Sequence, residues 1–160
     1  MLELITEQNC EIFERLAQDY EEEFSSITGK SIQPNGKYNI DVDWHFPNIG
    51  YFWKENMQIM GFVIKDQCCE YSDIGEFYVI PAYRKMGVGR KMAFSIFEQH
   101  PGLWQVRQIQ NAELAKLFWR NVISDFTKCD YIELELEDAI WKKVYCQRFK
   151  SKKQQSEELF

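Results

Sequence analysis

The chain has 160 residues, 45% of them hydrophobic and 28% charged, which is an ordinary composition for a globular protein with a hydrophobic core. Its formal net charge of −6 argues against a broad basic face and therefore against a nucleic-acid-binding protein. No signal peptide and no run of about 20 apolar residues is recognisable, so we expect a cytoplasmic protein that does not enter a membrane.

The N-terminal part of the chain predicts a short strand followed by an amphipathic helix. Residues 2–5 suit the strand, and residues 9–24 place apolar side chains at spacings of three and four. Asn9 is a candidate N-cap for this helix. The acidic residues 21–23 would then end the helix, either as a solvated terminus or as an attraction for a cationic substrate.

An irregular segment is predicted over residues 25–48, where glycine, proline, serine and asparagine mark several turns. It holds too many aromatic side chains for a linker, and loops often carry specificity. Its acidic and aromatic residues are our candidate substrate-binding group: Asp41, Asp43, Trp44 and His45. The two aspartates suit a cationic acceptor, with solvated surface as the alternative. His45 also titrates near neutral pH and could transfer protons.

The rest of the chain predicts a mixed sheet with two further helices. Strands are predicted at residues 50–54, 58–65, 73–80, 103–109, 131–136 and 140–149, and helices at residues 89–99 and 112–123. The order β-α-loop-β-β-β-α-β-α-β-β predicts an α/β (α+β) fold with a mixed, mostly antiparallel sheet of six to seven strands. We expect one domain over residues 1–149 and a polar tail over residues 150–160.

The five cysteines are odd in number and match no zinc-binding spacing. They predict free thiols in a reducing cytoplasm and no metal site.

Most of the functional information lies in residues 73–91, which read as a strand, a turn closed by Pro81, a basic loop and a helix. The first amides of a helix lack intrahelical partners, and the helix dipole is positive there. Gly87 and Gly89 let the backbone approach a ligand closely. Basic residues surround the glycines: Arg84, Lys85, Arg90 and Lys91. This arrangement predicts a phosphate-binding site.

The loop Arg84-Lys85-Met86-Gly87-Val88-Gly89 resembles the pyrophosphate loop Q/R-x-x-G-x-G/A of the GNAT superfamily of acyl-CoA-dependent N-acyltransferases. The segments EFYV (76–79), WQVRQ (104–108) and FWR (118–120) also resemble a bacterial subgroup of predicted acetyltransferases. The resemblance covers about residues 1–149. It implies a sheet splayed between its fourth and fifth strands with helices on both faces, and it implies acetyl-CoA as cosubstrate. It is compatible with a homodimer.

The resemblance also implies which residues contact acetyl-CoA. The backbone of the fourth strand would bond the pantetheine arm, and the amides of residues 85–90 would hold the pyrophosphate. The implied cofactor-binding positions are Phe77, Tyr78, Val79, Arg84, Lys85, Met86, Gly87, Val88, Gly89, Arg90, Asn111 and Phe118. Where many members carry a tyrosine that protonates the leaving thiolate, this chain has Trp119, whose indole is not a practical acid.

Acyl transfer to an amine requires a base, because an alkylamine is mostly protonated near pH 7. Glu76 is our first candidate base, since it lies on the strand expected to hold the thioester, and Asp73 is the second. The two are three residues apart, so they would face opposite sides of a regular strand. Tyr83 or Tyr78 could serve as the acid for the thiolate.

We therefore expect an N-acetyltransferase that moves an acetyl group to the primary amine of a small cationic molecule, by direct attack in a ternary complex. Two alternatives stay open. The acceptor could be a peptide or protein amine, or the chain could be a non-catalytic acyl-CoA-binding regulatory module.

Overall fold

The computed structural model describes residues 1–152. Within these residues, the strands are β1 (Leu2–Leu4), β2 (Ile49–Glu55), β3 (Gln58–Cys68), β4 (Tyr71–Val79), β5 (Gly102–Ile109), β6 (Ile132–Asp138) and β7 (Lys142–Ser151). The helices are α1 (Cys10–Thr28), α2 (Val88–Gln99) and α3 (Glu113–Thr127), and a short 3₁₀ helix covers Pro81–Tyr83. The element order predicted from the sequence is confirmed.

The seven strands form one mixed sheet in the order β1-β2-β3-β4-β5-β7-β6. The pairs β1–β2, β2–β3, β5–β7 and β6–β7 are antiparallel. The pair β4–β5 is parallel and joins Ser72 to Trp104 and Asp73 to Gln105. The expected mixed, mostly antiparallel α+β sheet is thus confirmed, and three helices flank it. The splaying of β4 and β5 stays a prediction.

The chain divides into two compact units, and the sheet contributes strands to both. The first unit comprises Met1–Asp66 and Ile74–Gly89. The second comprises Gln67–Asp73 and the chain from Arg90 onward. The expectation of a single domain over residues 1–149 stays a prediction.

In the first unit, α1 covers the sheet with the apolar stripe that its sequence predicts. Phe13 and Ala17 are buried in one cluster with Phe52, Phe62 and Tyr78. The ring of Phe13 meets that of Phe62 edge-on, with centroids 5.1 Å apart. Burial of these side chains stabilises the helix far more than its own propensity would.

Helix α1 is longer than the sequence pattern indicated. It continues to Thr28 and ends at Gly29, which adopts a left-handed conformation (φ 75°) and donates its N–H to the carbonyl of Ser25. The prediction that Glu21 lies at a solvated helix end is therefore wrong, since Glu21 is buried. At the other end, Asn9 occupies the N-cap position, as predicted, but its side chain bonds the backbone of Thr6 and Leu4 instead of the first turn of the helix.

In the second unit, aromatic side chains of α2 and α3 pack against β5 and β7. The ring of Phe97 lies 4.9 Å from those of Trp104 and Phe149 and 5.1 Å from that of Phe126, measured between centroids. Strand β7 runs to Ser151, whose buried hydroxyl donates to the carbonyl of Phe97 at 2.6 Å. Residues 150 and 151, which we predicted as part of a polar tail, therefore belong to β7. The rest of that predicted tail, residues 153–160, lies outside the described part of the chain.

Gly61 permits a close approach of β3 to β4. A Cβ atom at this position would overlap the carbonyl oxygen of Tyr78 and lie 3.2 Å from the Cα atom of Val79. Both obstacles are backbone atoms, so the two strands would have to separate.

We expect Gly61→Ala to lower the free energy of unfolding by about 3 kcal/mol or more, because this clash cannot relax through a side chain. Gly36→Ala is the control. It adds a methyl group in open space at φ +79°, where the left-handed conformation alone costs about 1–2 kcal/mol. Urea unfolding measures the stability of both variants. Equal losses of unfolding free energy would contradict the close approach of the strands at Gly61.

Candidate active site

A partly buried carboxylate, Glu76 on β4, accepts a hydrogen bond from the hydroxyl of Tyr20 on α1. Burial raises the pKa of Glu76 to about 7, the bond from Tyr20 opposes this rise, and the charges of Glu21 and Asp66 add to it. The positive charge of Lys30 acts in the opposite direction and lowers the pKa of Glu76. A carboxylate with this pKa can accept and release a proton near neutral pH.

Tyr20 is positioned by its own packing on α1. Its ring lies 4.8 Å from Phe24, 5.9 Å from Phe62 and 5.8 Å from Tyr78, measured between centroids. Burial, with the nearby charge of Glu76, raises the pKa of the Tyr20 hydroxyl well above its ordinary value, so this group donates a hydrogen bond and stays protonated. The sequence placed Tyr20 on the apolar face of the helix but gave no sign of its partner.

The second candidate base, Asp73, has different surroundings in the second unit. It is fully buried, and its Oδ2 accepts hydrogen bonds from Gln105 Nε2 at 2.9 Å and Arg107 Nε at 2.8 Å. A fully buried carboxylate that is already bonded by a guanidinium and an amide is not accessible to an acceptor amine. Glu76 is the stronger candidate.

The basic loop lies between the 3₁₀ helix Pro81–Tyr83 and the start of α2 at Val88. Lys85 and Gly87 adopt positive φ angles of 61° and 78°, and the loop is exposed while Val88 is buried as its anchor. A Cβ at Gly87 would meet open space within 4 Å. An accessible glycine loop that leads into a helix N-terminus fits the phosphate site that the sequence predicts.

Arg84, at the start of the loop, is engaged with α1. Its terminal nitrogens bind both carboxylate oxygens of Glu23 at 2.7 Å, and its Nε donates to the carbonyl of Val79 at 2.8 Å. Its guanidinium also lies 5.5 Å from the centroid of the Tyr78 ring. A ligand at the loop would therefore meet an Arg84 whose charge is already balanced.

The structure places the other predicted cofactor-binding residues in varied surroundings. The side chain of Tyr78 is buried in the core, so only its backbone can reach a ligand. Met86 is exposed, Asn111 lies in a turn at φ 69°, and the half-buried ring of Phe118 meets Trp119 edge-on. Arg90 Nε lies 3.3 Å from Asp125 Oδ2. The cofactor roles of Phe77 and of all these residues stay predictions.

Tyr83, the candidate acid, is partly exposed, and its hydroxyl lies 3.4 Å from Gln58 Oε1. The position is open enough for a proton donor, and this role also stays a prediction. Tyr78 is a weaker candidate, because burial raises the pKa of its hydroxyl.

The predicted substrate-binding aspartates pair with basic residues of the same unit. Lys30 Nζ lies 2.8 Å from both Asp41 Oδ2 and Glu21 Oε2. Burial lowers the pKa of Lys30, but its hydrogen bonds to Asp41 and Glu21 outweigh this and raise it. Asp41 thus balances an internal charge and is less available to a cationic ligand than the sequence suggested.

His45 is held between two carboxylates. Its Nδ1 lies 2.6 Å from Asp43 Oδ1 and its Nε2 lies 3.2 Å from Glu7 Oε1. Hydrogen bonds to Asp43 and then Glu7 raise the pKa of the imidazole, so His45 keeps its proton to a higher pH than a free histidine does. The ring of Trp44 stacks on it, with centroids 4.0 Å apart.

A shallow cleft of about 900 Å³ lies between α1 and the segment that follows it. The amide of Gln18 fixes this segment by bonding both the N–H and the carbonyl of Tyr38. The lining includes acidic, basic and aromatic side chains: Glu11, Glu14, Arg15, Asp19, Lys37, Tyr38 and Trp44. Of the four predicted substrate-binding residues, Trp44 lines this cleft.

Residues 1–152 contain neither a metal-binding cluster nor a membrane-spanning helix. No cluster of three or more histidine, cysteine or acidic side chains is placed to hold a metal ion. No helix in this range combines the length and apolar character that crossing a bilayer requires. All five cysteines are free thiols.

No protein-family model matches the sequence, and no curated protein matches it. Solved structures do match. A candidate acetyltransferase of the GNAT family from Bacteroides thetaiotaomicron is 13% identical, with a TM-score of 0.66 over 94% of this chain and 86% of the other. A mutant spermidine N-acetyltransferase from Vibrio cholerae is 10% identical, with a TM-score of 0.62 over 94% and 95%.

A candidate streptothricin acetyltransferase from Bacillus anthracis, solved with acetyl coenzyme A, is 13% identical, with a TM-score of 0.58 over 94% of this chain and 98% of the other. The chain therefore has the fold of GNAT acetyltransferases, as the resemblance of its sequence motifs implied.

The pKa of Glu76 predicts how stability depends on pH. The folded-state pKa of about 7 lies above the ordinary value of 4.5, so the folded state holds more protons between these pH values and loses stability as pH rises through them. We expect Glu76→Gln, which cannot ionise, to be more stable than the original protein by about 1–3 kcal/mol at pH 8.

This difference should shrink as the pH falls and vanish well below pH 4.5, where Glu76 is protonated in both states. Urea unfolding at several pH values measures it. Glu22→Gln, which removes an exposed carboxylate from α1, is the control for the loss of one negative charge. A constant difference at all pH values would mean that Glu76 titrates normally.

Proposed function

We propose that the protein is an acetyl-CoA-dependent N-acetyltransferase that acts on the primary amine of a small cationic molecule. The observation that carries this proposal is Glu76, a carboxylate with a pKa of about 7 on the strand that leads into the basic glycine loop. The acetyltransferase fold supports it. A proton acceptor tuned to neutral pH is what acyl transfer to an amine requires.

The loop of residues 84–89 would hold the cosubstrate through its backbone. Free amides at the start of α2 suit a pyrophosphate, and the open space beside Gly87 admits it. When bound, acetyl-CoA supplies an activated acetyl thioester, as the acetyl-CoA complex of a protein of this fold supports. Lys85 would add positive charge to the exposed side of the loop.

Glu76 would accept a proton from the acceptor amine as the N–C bond forms and the C–S bond breaks in a ternary complex. Tyr20 would position the carboxylate, and the hydrogen bond that its hydroxyl donates would favour the charged form of Glu76. Tyr83 would deliver a proton to the leaving thiolate, whose modest basicity also permits departure without help.

The cleft beside α1 is our candidate binding site for the acceptor amine. Glu11, Glu14 and Asp19 give it acidic character, and Trp44 offers an aromatic surface for an alkylammonium group. The spermidine N-acetyltransferase of the same fold supports a small amine. A peptide amine and a purely acyl-CoA-binding role are the alternatives, and a cytoplasmic location and a possible homodimer stay part of the proposal.

We expect Gly87→Glu to weaken acetyl-CoA binding at least about tenfold, because a side chain and a negative charge enter the phosphate loop. Gly36→Glu is a matched control. Its φ of +79° is nearly that of Gly87 at +78°, and a Cβ at either meets open space. Isothermal titration calorimetry measures both variants, and equal affinities would contradict the loop assignment.

We expect Glu76→Gln to lower kcat by about 10²–10⁴-fold, with the Kd for acetyl-CoA unchanged, because only proton transfer is lost. Release of CoA with a panel of amines measures the rate. Tyr20→Phe should move the acidic limb of the pH–rate profile to higher pH, since the bond from Tyr20 lowers the pKa of Glu76.

These assays separate the alternatives. Turnover only with peptides would favour a protein substrate. Binding of acetyl-CoA without turnover for any amine, peptide or protein would favour the binding module and contradict an enzyme. Full activity of Glu76→Gln would reject Glu76 as the base while leaving acetyl transfer in place.

A further inference from the structure

A second cleft, of about 280 Å³, lies entirely within the second unit. It is formed where the turn between β3 and β4 meets the exposed face of β5, β6 and β7. The lining side chains that matter here are Glu70, Tyr71, Gln105, Arg107, Asp138 and Arg148. None of them takes part in the acetyl transfer proposed above.

The sheet register brings the two arginines to one face. Gln105 pairs with Arg148 across β5 and β7. Arg107 follows Gln105 by two residues, so the side chains of all three lie on the same side of the sheet. Arginines from two strands thus share one small cleft.

Buried polar side chains anchor the guanidinium groups of Arg107 and Arg148 at the base of the cleft. Arg107 donates its Nε to Asp73 Oδ2 at 2.8 Å, and Arg148 donates its Nε to Gln105 Oε1 at 3.3 Å. Gln105 Nε2 donates to Asp73 Oδ2 at 2.9 Å, which fixes the amide with its oxygen toward Arg148. Asp73 is 0% exposed and Gln105 is 3% exposed.

Anchoring through Nε leaves the two terminal nitrogens of each arginine for other partners. Arg107 Nη1 lies 3.8 Å from Asp138 Oδ2, a distant ion pair. The Arg148 guanidinium lies 4.5 Å from the centroid of the Tyr71 ring, which restricts its orientation. Such a fixed fork is suited to bidentate binding of a carboxylate.

Arg148 has no carboxylate partner within residues 1–152, whereas Arg84 and Arg120 bind Glu23 and Glu133 through two nitrogens each. Glu70, which lines the same cleft, also forms no ion pair within that range, and the two do not pair with each other. Arg148 and Glu70 therefore line the same small cleft, and neither forms an ion pair within residues 1–152.

We propose that this cleft binds a free α-amino acid, with its carboxylate on the terminal nitrogens of Arg148 and its ammonium group toward Glu70. A zwitterion satisfies both charges at once. A phosphate would place two negative charges close to Glu70 and Asp138, which like-charge repulsion disfavours. The small volume suits a single amino acid. Binding is independent of the proposed acetyl transfer, because the site contains no residue of that reaction.

The test measures binding without acetyl-CoA, so that its failure and the failure of the proposed enzyme activity are distinguishable. The probes are the free protein L-amino acids, with the Nε–H signals of the arginines followed by ¹⁵N NMR. We expect at least one to shift the signals of Arg107 and Arg148 with a Kd of about 1 mM or lower. Its amide, which lacks the carboxylate, should bind at least about tenfold more weakly.

Two variants test the two charges separately. Arg148→Gln and Glu70→Gln should each weaken binding of the same amino acid at least about tenfold. Lys150→Gln, an equal loss of charge at an exposed position of β7, should leave the affinity within about twofold. Glu70 is exposed, so its variant keeps the test valid if Arg148→Gln fails to fold.

The proposal is overturned if no amino acid shifts the Arg148 signal, or if inorganic phosphate binds more tightly than every amino acid. It is equally overturned if the amide binds as well as the acid, or if Glu70→Gln and Lys150→Gln behave alike.

Discussion

The packing of α1 against the sheet of the first unit determines the chemistry of Glu76. The apolar face of the helix buries Phe13 and Ala17 against Phe62 and Tyr78, and this contact fixes the rotation of the helix about its axis. With that rotation, Tyr20 points its hydroxyl at Glu76. The same contact removes water from the carboxylate, and burial is the largest cause of its raised pKa. Hydrophobic packing and proton chemistry are thus two results of one interface.

Internal pairing accounts for much of the negative charge in the first unit. Glu21 and Asp41 share Lys30, and Glu23 balances Arg84. The acidic residues of α1 that line the larger cleft are different ones, Glu11 among them. A count of charges along the sequence could not separate the two groups, because pairing depends on which face of the helix each residue occupies.

The sequence predicted the fold well, because alternation, helical spacing and the glycine loop are local signals. It indicated Glu76 as a candidate base from its place on β4, but it gave no sign of Tyr20, its hydrogen-bond partner 56 residues away in the chain. The helix end was misplaced because residues 25–28 are polar and β-branched, whereas Gly29 was the true stop signal. Arg148 escaped notice because only the paired strands show that no carboxylate of residues 1–152 binds it.

Tyr20 and Glu23 lie three residues apart on α1, about one helical turn. One binds the candidate base, and the other binds Arg84 at the start of the loop that we propose to hold phosphate. A phosphate that drew Arg84 away from Glu23 would leave an unbalanced negative charge one helical turn from Tyr20, the hydrogen-bond partner of Glu76, and would favour the protonated forms of this pair. Linkage is reciprocal, so ionisation of Glu76 would in turn weaken the hold on the phosphate. The affinity for the cosubstrate and the protonation of Glu76 would then be thermodynamically linked through a single turn of α1.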